Sequence, residues 1–286
     1  MKRISLITLL SIATLLSSYA QNAKPGKVAT NVKSEKHLSS SILLWMRTDK
    51  SRQAGMDRWK GPHAQIIAAN KGLLEYRQIH FTENNSGLWQ PINGVETNIP
   101  QNRKIDGVAD VTLKNLFSIF RGKKQNKLAY ADEVNLFKRT ILYAAFPKNS
   151  RWYKVGELNS QMEASAMVFF RKKEGVSDKD FKKSINDELT PTLANTGMLK
   201  ELRNKAYNPW KQKQWNTPNV EHDNDESVQF HASLMLGFAN KSEMEKFFTS
   251  EELKKLSERI STYCSAVHAY EIAETITFVK DGKKIK

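Results

Sequence analysis

Residues 42–81 combine two hydrophobic periods, one typical of strands and one typical of a helix. The apolar run Ile42–Met46 has the length and composition of a strand, and Leu74–Phe81 indicates a second one. Between them, side chains at spacings of three and four mark one face of a helix: Met56, Trp59, His63, Ile66 and Ile67. The pattern predicts a strand–helix–strand unit with a histidine on the buried face of its helix.

The same unit recurs 125 residues later, over residues 167–207, without a gap. His63 falls on Glu188, so both copies carry a titratable group at one helix position. A third strand, Gly107–Leu113, and a fourth, Arg139–Phe146, complete a βαββαβ pattern that is repeated in the second copy.

The predicted fold class is therefore α+β, with two tandem ferredoxin-like βαββαβ repeats packed sheet to sheet as an intramolecular α+β barrel. Each four-stranded sheet carries helices on one face only, and the other repeat covers the second face. In the third strand, Ala109, Val111 and Leu113 should face the helices, while Val108 and Asp110 should line the barrel.

The amino terminus has the pattern of a signal peptide. Lys2 and Arg3 precede the apolar run Ile4–Leu16, and a small-x-small site ends at Ala20. That run is too short to span a bilayer, so we predict a periplasmic or secreted protein with no integral membrane segment after cleavage. The predicted division is a signal peptide (1–20), a disordered polar arm (21–40), repeat one (41–146) with a long loop (82–105), a linker (147–163) and repeat two (164–286).

The motifs of the first repeat resemble a known family. Trp59, His63-Ala64, Gly72-Leu73 and the strand from Gly107 are similar to the EthD-like branch of the dimeric α+β barrel proteins. The resemblance implies cofactor-free isomerase, cyclase, lyase or monooxygenase chemistry on small molecules. The chain is also similar to bacterial proteins labelled strictosidine-synthase-like, but that label implies a propeller, which a long helical repeat does not fit.

Charge and cysteine content narrow the classes of partner. The 45 basic residues outnumber the 30 acidic ones, but the lysines are scattered and no basic stripe with stacking aromatics occurs. We therefore expect a solvated surface and no nucleic-acid partner, with attraction to anionic surfaces or ligands as the alternative. Cys264 is the single cysteine, which excludes an internal disulfide and indicates a buried thiol.

No phosphate loop, zinc spacing or nucleophile motif occurs, so we predict neither a metal nor a cofactor. The candidate site lies in repeat one, between its first helix, its second strand and loop 82–105. Its predicted catalytic residues are His63, His80 and Tyr76. Its predicted substrate-binding residues are Trp59, Arg77, Trp89, Asp110 and His231. The competing interpretation is that these histidines are hydrogen-bonded core residues.

The predicted function is proton transfer on a small, aromatic or polyketide-like molecule. A non-catalytic protein that binds a small ligand, or that acts only through its surface, is the alternative, and a haem protein with His231 or His268 as axial ligand is a minor one. The predicted partners are a small-molecule ligand and the second repeat of the same chain, and a homodimer is left open. Trp89 and Trp215 mark duplicated long loops, which either form lids over a pocket or pack on the opposite repeat.

Overall fold

The computed structural model describes residues 25–156 and 162–286, so the predicted signal peptide and part of the predicted linker lie outside the described residues. The strands are β1 (Ser34–Lys36), β2 (Leu38–Met46), β3 (Leu73–Phe81), β4 (Gly107–Leu113), β5 (Phe137–Ala145), β6 (Ser150–Tyr153), β7 (Ala164–Lys172), β8 (Glu201–Ala206), β9 (Ala232–Phe238), β10 (Cys264–Lys280) and β11 (Lys283–Lys284). The α-helices are Arg52–Arg58, Ala64–Ala68, Ser118–Arg121, Lys123–Glu133, Asp178–Lys183, Thr190–Ala194, Lys241–Phe248 and Glu251–Tyr263.

The strands form two ferredoxin-like sheets joined into one antiparallel path. The order is β1-β6-β8-β9-β7-β10-β3-β4-β2-β5, with β11 paired to β10. In each repeat the first strand lies between the third and the fourth, which is the ferredoxin-like arrangement. The predicted α+β class is confirmed. No helix in the described part of the chain is long and apolar enough to cross a membrane.

Chain segments that run from one sheet into the other close the two sheets into a barrel. On one side, the 17-residue β10 pairs with β7 along its first half and with β3 along its second half. On the other side, β1 leads into β2 after one residue, and β5 leads into β6 after a short turn. Since β6 pairs with β8 and β10 pairs with β3, the second strand of each repeat gains a partner on its outer edge.

This closure corrects two predicted boundaries. Residues 34–36 form β1 and pair with β6, and β2 begins at Leu38, so the arm predicted as disordered over 21–40 is ordered there. The predicted linker 147–163 likewise contains β6, Ser150–Tyr153. Both polar stretches are ordered because the edge strand β8 needs a partner for its backbone groups.

Three buried cores follow from this arrangement. One lies under the helices of each repeat, and the third lies between the two sheets. Ala109, Val111 and Leu113 belong to the helix side of repeat one, whereas Val108 belongs to the core between the sheets. The predicted assignment of the two faces of β4 is confirmed at these positions.

The two long loops exchange sides. Loop 82–105 runs along β10, where Leu88 N–H donates to Ala269 O at 2.9 Å, and Trp89 joins the helix-side core of repeat two. The loop that follows β8 crosses the other way, and Trp215 joins the helix-side core of repeat one. Of the two alternatives, the tryptophans thus pack on the opposite repeat.

Candidate functional site

His63 connects the two helical segments of repeat one. Its Nδ1 lies 3.0 Å from Asp132 Oδ2, and Arg58 pairs with the same carboxylate. The chain around it forms a π-turn, Trp59–His63. Repeat two has a π-turn at the matching place, where Glu188 pairs with Arg259 of the last helix. Each π-turn therefore ties one helix to another, through His63 in repeat one and through Glu188 in repeat two.

Trp59, Tyr76 and His80 pack between the sheet and this helix. Trp59 stacks on His80 with ring centroids 4.4 Å apart, and a Cβ at Gly107 would lie only 2.6 Å from the indole. Burial lowers the pKa of His80 to about 4 and raises the pKa of Tyr76. Gln78 Nε2 donates to Tyr76 Oη at 2.8 Å. These groups belong to the outer core of repeat one, on the face of β3 that covers the helix.

The structure does not bring Trp89 to these residues. Trp89 lies in the core of repeat two, where its Nε1–H donates to Ser257 Oγ at 3.0 Å. The predicted pocket between the first helix, β3 and loop 82–105 is therefore wrong in its geometry, because the loop leaves repeat one. The catalytic roles of His63, His80 and Tyr76 stay a prediction.

Arg77 and Asp110 lie inside the barrel, in a buried charge network that joins the two sheets. Arg77 pairs with Glu201 at 2.8 Å and with Asp110 at 3.2 Å, and Lys205 pairs with Asp110. Burial and the neighbouring Arg77 guanidinium lower the pKa of Lys205. The network also contains Glu75 and Arg203, so three basic and three acidic side chains balance there.

The network reveals a one-residue offset between the repeats. Arg77 lies opposite Asp110, and Arg203 lies opposite Met235, which is 125 residues after Asp110. Arg203 is therefore the counterpart of Arg77, and Ala206 is the counterpart of His80. The first strands show the same shift, since Leu44 lies opposite Gly107 and Phe170 lies opposite Ala232. The gapless alignment is therefore wrong along β7 and β8, and the connection between β8 and β9 is one residue shorter in repeat two.

His231 lies at a separate place, under repeat two. Its ring packs edge-on against Phe181 at 5.8 Å, and its Nδ1 accepts the backbone N–H of Lys172 at 3.2 Å. Burial, with help from the Lys172 side chain, lowers its pKa to about 4. His231 borders a cavity of about 260 Å³ and does not share a site with Asp110.

A central cavity of about 200 Å³ opens between the two sheets at one end of the barrel. Its apolar walls come from both repeats and include Leu43, Trp45 and Phe230. Both long loops close it, loop 82–105 through Glu96 to Arg103 and the other through Asn224 to Val228. The exchanged loops therefore hold their tryptophans in the outer cores and line this cavity with their later residues.

His268 and Glu96 form the titratable pair of the central cavity. His268 Nε2 lies 2.6 Å from Glu96 Oε1, and the His268 side chain is buried. Burial lowers the pKa of His268, while the Glu96 carboxylate opposes this shift. Glu96 is held in place because its backbone pairs with β10, donating to Ser265 O and accepting from Val267 N–H. The pair is thus built from a strand of repeat two and a loop of repeat one.

Arg171 and Tyr143 add polar groups to the same cavity. The Arg171 guanidinium lies 3.5 Å from Glu96 and 5.8 Å from the Phe230 ring centroid. Tyr143 Oη donates to Asn224 Oδ1 and accepts from Phe230 N–H, each at 3.0 Å, and burial raises the pKa of Tyr143 to about 12. A cation, a neutral phenol and an imidazole–carboxylate pair therefore converge on one apolar space.

Sequence reasoning considered His268 only as a haem ligand and missed its partners. The alternation of β10 places His268 on the same face as Tyr270 of the inner core, so this much was available from the pattern. Glu96 could not be predicted as the partner of His268, because it lies in the other repeat, on a loop of irregular structure.

A metal ion or a haem would need side chains that converge as ligands. Within the ranges that the structure describes, no three His, Cys, Asp or Glu side chains converge as a metal site would require. The acidic run 221–226 instead anchors its loop, with Asp223 paired to Arg139 at 2.7 Å and His222 buried against Thr140 O. His268 Nε2, the nitrogen that would serve as an axial haem ligand, is engaged by Glu96.

Comparison with known proteins places the fold. No family model and no curated protein matches the chain. Among solved structures, an anthrone oxidase-like protein has a TM-score of 0.54 at 11% identity, covering 89% of this chain and 98% of its own. A proposed monooxygenase from Fusobacterium nucleatum has a TM-score of 0.50 at 10% identity, covering 86% and 99%. At these identities the likeness shows a shared α+β barrel fold.

Proposed function

We propose that this chain is an enzyme of the EthD-like kind that removes a proton from a small aromatic or polyketide-like molecule without a cofactor. The observation that carries the proposal is the His268–Glu96 pair at 2.6 Å inside a cavity with apolar walls. Buried imidazoles with an orienting carboxylate are typical general bases. The substrate class draws on the monooxygenase-like and anthrone oxidase-like neighbours of the same fold.

The chemistry begins with an activated C–H bond next to a carbonyl group. With Nε2–H donated to Glu96, His268 presents the lone pair of Nδ1 as the proton acceptor. The proton moves to His268, the electron pair moves to the substrate carbonyl as an enolate, and Glu96 stabilises the imidazolium. The Arg171 guanidinium offers the enolate a counter-charge.

The enolate can react in two ways that conserve atoms and electrons. In an isomerisation, His268 returns the proton to a different carbon atom. In an oxygenation, dioxygen is the co-reactant, so that a CH₂ group and O₂ give a carbonyl group and water. Both need the same first step, and the lowered pKa of His268 keeps its imidazole neutral and able to accept a proton at neutral pH.

Deuterium exchange at the methylene group of anthrone, under anaerobic conditions and followed by NMR, tests this first step. His268→Gln should lower the exchange rate by roughly a hundredfold or more, and Glu96→Gln should lower it less. His231→Gln is the matched control, because His231 lies outside the central cavity, and it should keep the rate. The wild-type rate should fall as the pH drops below the pKa of His268, which lies under its usual 6.5.

Full exchange activity in His268→Gln would refute the assignment of the base. The alternative function is ligand binding without turnover, in which His268 and Glu96 only fasten the loop to β10. That alternative is favoured if wild-type protein binds anthrone, seen by tryptophan fluorescence, and does not speed exchange.

We further propose that the protein acts outside the cytoplasm, on the basis of the predicted signal peptide. Mass spectrometry of exported material should find Gln21 as the first residue. Intact Met1 in the cytoplasmic fraction would contradict export and would leave the cavity chemistry untouched.

A further inference from the structure

A cluster of large apolar side chains projects into solvent from repeat one. Phe117 is 75% exposed and Phe120 is 66% exposed, and Leu116, Ile119 and Leu128 are each close to half exposed or more. Scattered exposed apolar residues are normal, but a contiguous patch marks an interaction surface. We call residues 114–128 the apolar-basic surface.

The outward direction of these side chains is built into the local structure. Ser118 is buried, and its N–H and hydroxyl both donate to Asn115 Oδ1, at 3.1 and 3.2 Å. Its backbone carbonyl approaches Gly72 so closely that a Cβ there would lie 2.8 Å from it. With Ser118 fixed inward, the residues on either side of it point outward.

Basic side chains surround the apolar ones. All are exposed: Lys114, Arg121, Lys123, Lys124 and Lys127. Lys123 Nζ lies 5.9 Å from the Phe120 ring centroid, and no acidic side chain of residues 25–156 or 162–286 pairs with any of the five. Lys114 Nζ reaches Gly282 O at 3.5 Å, which brings the β10–β11 hairpin and its exposed Ile285 alongside.

We propose that the apolar-basic surface docks this protein on an anionic lipid bilayer. Phe and Leu side chains insert at the boundary between headgroups and acyl chains, and Lys and Arg side chains contact anionic headgroups. The chain is then peripheral, held by one surface patch, in keeping with the lack of a spanning helix in its described part.

Charge decides between a bilayer and a second copy of the chain. A twofold dimer through this patch would place five cations against the same five cations, with no acidic partner on either side. An anionic surface instead gains from every one of them. The excess of 45 basic over 30 acidic residues in the whole chain acts in the same direction.

Site-specific fluorescence tests the proposal, because the only native cysteine, Cys264, is buried and resists labelling. A polarity-sensitive dye on Phe117→Cys should shift to the blue with vesicles of phosphatidylglycerol and phosphatidylcholine. It should not shift with phosphatidylcholine alone. The same dye on Lys254→Cys, an exposed site on repeat two, should not respond to either.

Variants with fewer positive charges provide a second test of the proposal. Replacing Lys123, Lys124 and Lys127 by Gln should weaken binding to anionic vesicles roughly a hundredfold, at about fivefold for each cation. The matched control replaces the exposed Lys246, Lys254 and Lys255 by Gln, with the same loss of charge, and should change binding little. All the variants have the same amino terminus, so any contribution of residues 1–20 to vesicle binding is the same in each of them.

Three results would overturn the proposal. The first is no shift of the dye at position 117, and the second is an equal shift with neutral vesicles. The third is a shift without lipid that grows with protein concentration as the mass doubles, which would assign the surface to a second copy. None of these results depends on the activity of the central cavity.

Discussion

His63 shows how one residue can fit two interpretations until its partner is known. A histidine on the buried face of a helix is equally suitable as a general base and as a core hydrogen-bonding group. Here its Nδ1 faces Asp132, and its ring packs edge-on against Phe137 at 5.8 Å. The matching Glu188–Arg259 pair joins the same two helices of repeat two. A charged pair at the π-turn of each repeat favours a role in helix packing.

His63→Ala should lower the free energy of unfolding by about 1–3 kcal/mol, because Asp132 loses a buried partner and the ring leaves a gap. Denaturant unfolding measures this, and exchange of anthrone deuterium in the native protein should stay unchanged. Glu188→Ala is the parallel variant in repeat two. A variant at position 63 that folds normally and loses exchange activity would restore His63 as the base.

The exchanged loops are the decisive elements of the fold. Trp215 Nε1–H donates to Glu133 at 3.1 Å, and Thr217 Oγ1 donates to the same carboxylate, so the loop from repeat two is fastened to a helix of repeat one. Loop 82–105 makes the converse attachment through Trp89. The sequence predicted two long loops that carry tryptophans and left open whether they form lids or pack on the opposite repeat, because their destination depends on which sheet each one reaches.

Glu133 makes this attachment sensitive to pH. Burial raises its pKa from 4.5 to about 7, so the folded state holds the proton more tightly than the unfolded state does. The corresponding stability is complete below pH 4.5 and is lost as the pH rises to about 7, by up to about 3 kcal/mol.

Glu133→Gln should remove this slope while keeping acceptors for Trp215. The test is the difference in unfolding free energy between wild type and variant, measured from pH 4 to pH 8. The difference should change across the window in favour of the variant at high pH. The exposed Glu245→Gln is the control and should leave the profile parallel to wild type. A parallel profile for Glu133→Gln would show that the group titrates normally.

At the scale of the whole molecule, two features join the two repeats into one unit. They are the buried charge network and the strands that run from one sheet into the other, β10 on one side and β1–β2 with β5–β6 on the other. Arg77 reaches Glu201 across the barrel, and Arg203 reaches Glu75 in the converse direction. These crossed pairs relate the same positions of the two sheets. Buried charged side chains that each lie against an opposite charge favour one relative placement of the sheets, because any other leaves a charge without its partner.

Arg77→Met should therefore cost about 3–5 kcal/mol of unfolding free energy, since it strips partners from buried carboxylates. Lys246→Met removes an exposed ion pair of the i,i+3 type and should cost less than about 1 kcal/mol. Chemical denaturation measures both. If both variants lost the same small amount of unfolding free energy, water or rearranged side chains would be supplying the partners of the buried carboxylates.

Much of the fold follows from the pattern of the chain alone. The repeat, the two faces of β4 and the class of the fold are local or periodic properties, and each strand alternates over enough residues to be recognised. The bounds of β4 agree at both ends, and β2, β3 and β5 differ by a few residues at their ends. The one-residue offset of β7 and β8 was not predicted, because a strand alone does not determine its register; the pairing of both strands with β9 does.

The candidate site shows the limit of the same reasoning. His268 was visible as an inward residue of a strand, but Glu96 and Asn224 approach it from loops that cross between repeats. Local sequence determined the strands, the helices and the groups able to titrate. Only the tertiary structure decided which of them meet. The crossing of loop 82–105 to β10 brings residues 96 and 268 within hydrogen-bonding distance, whereas His63 and His80 are buried in the helix-side core of repeat one.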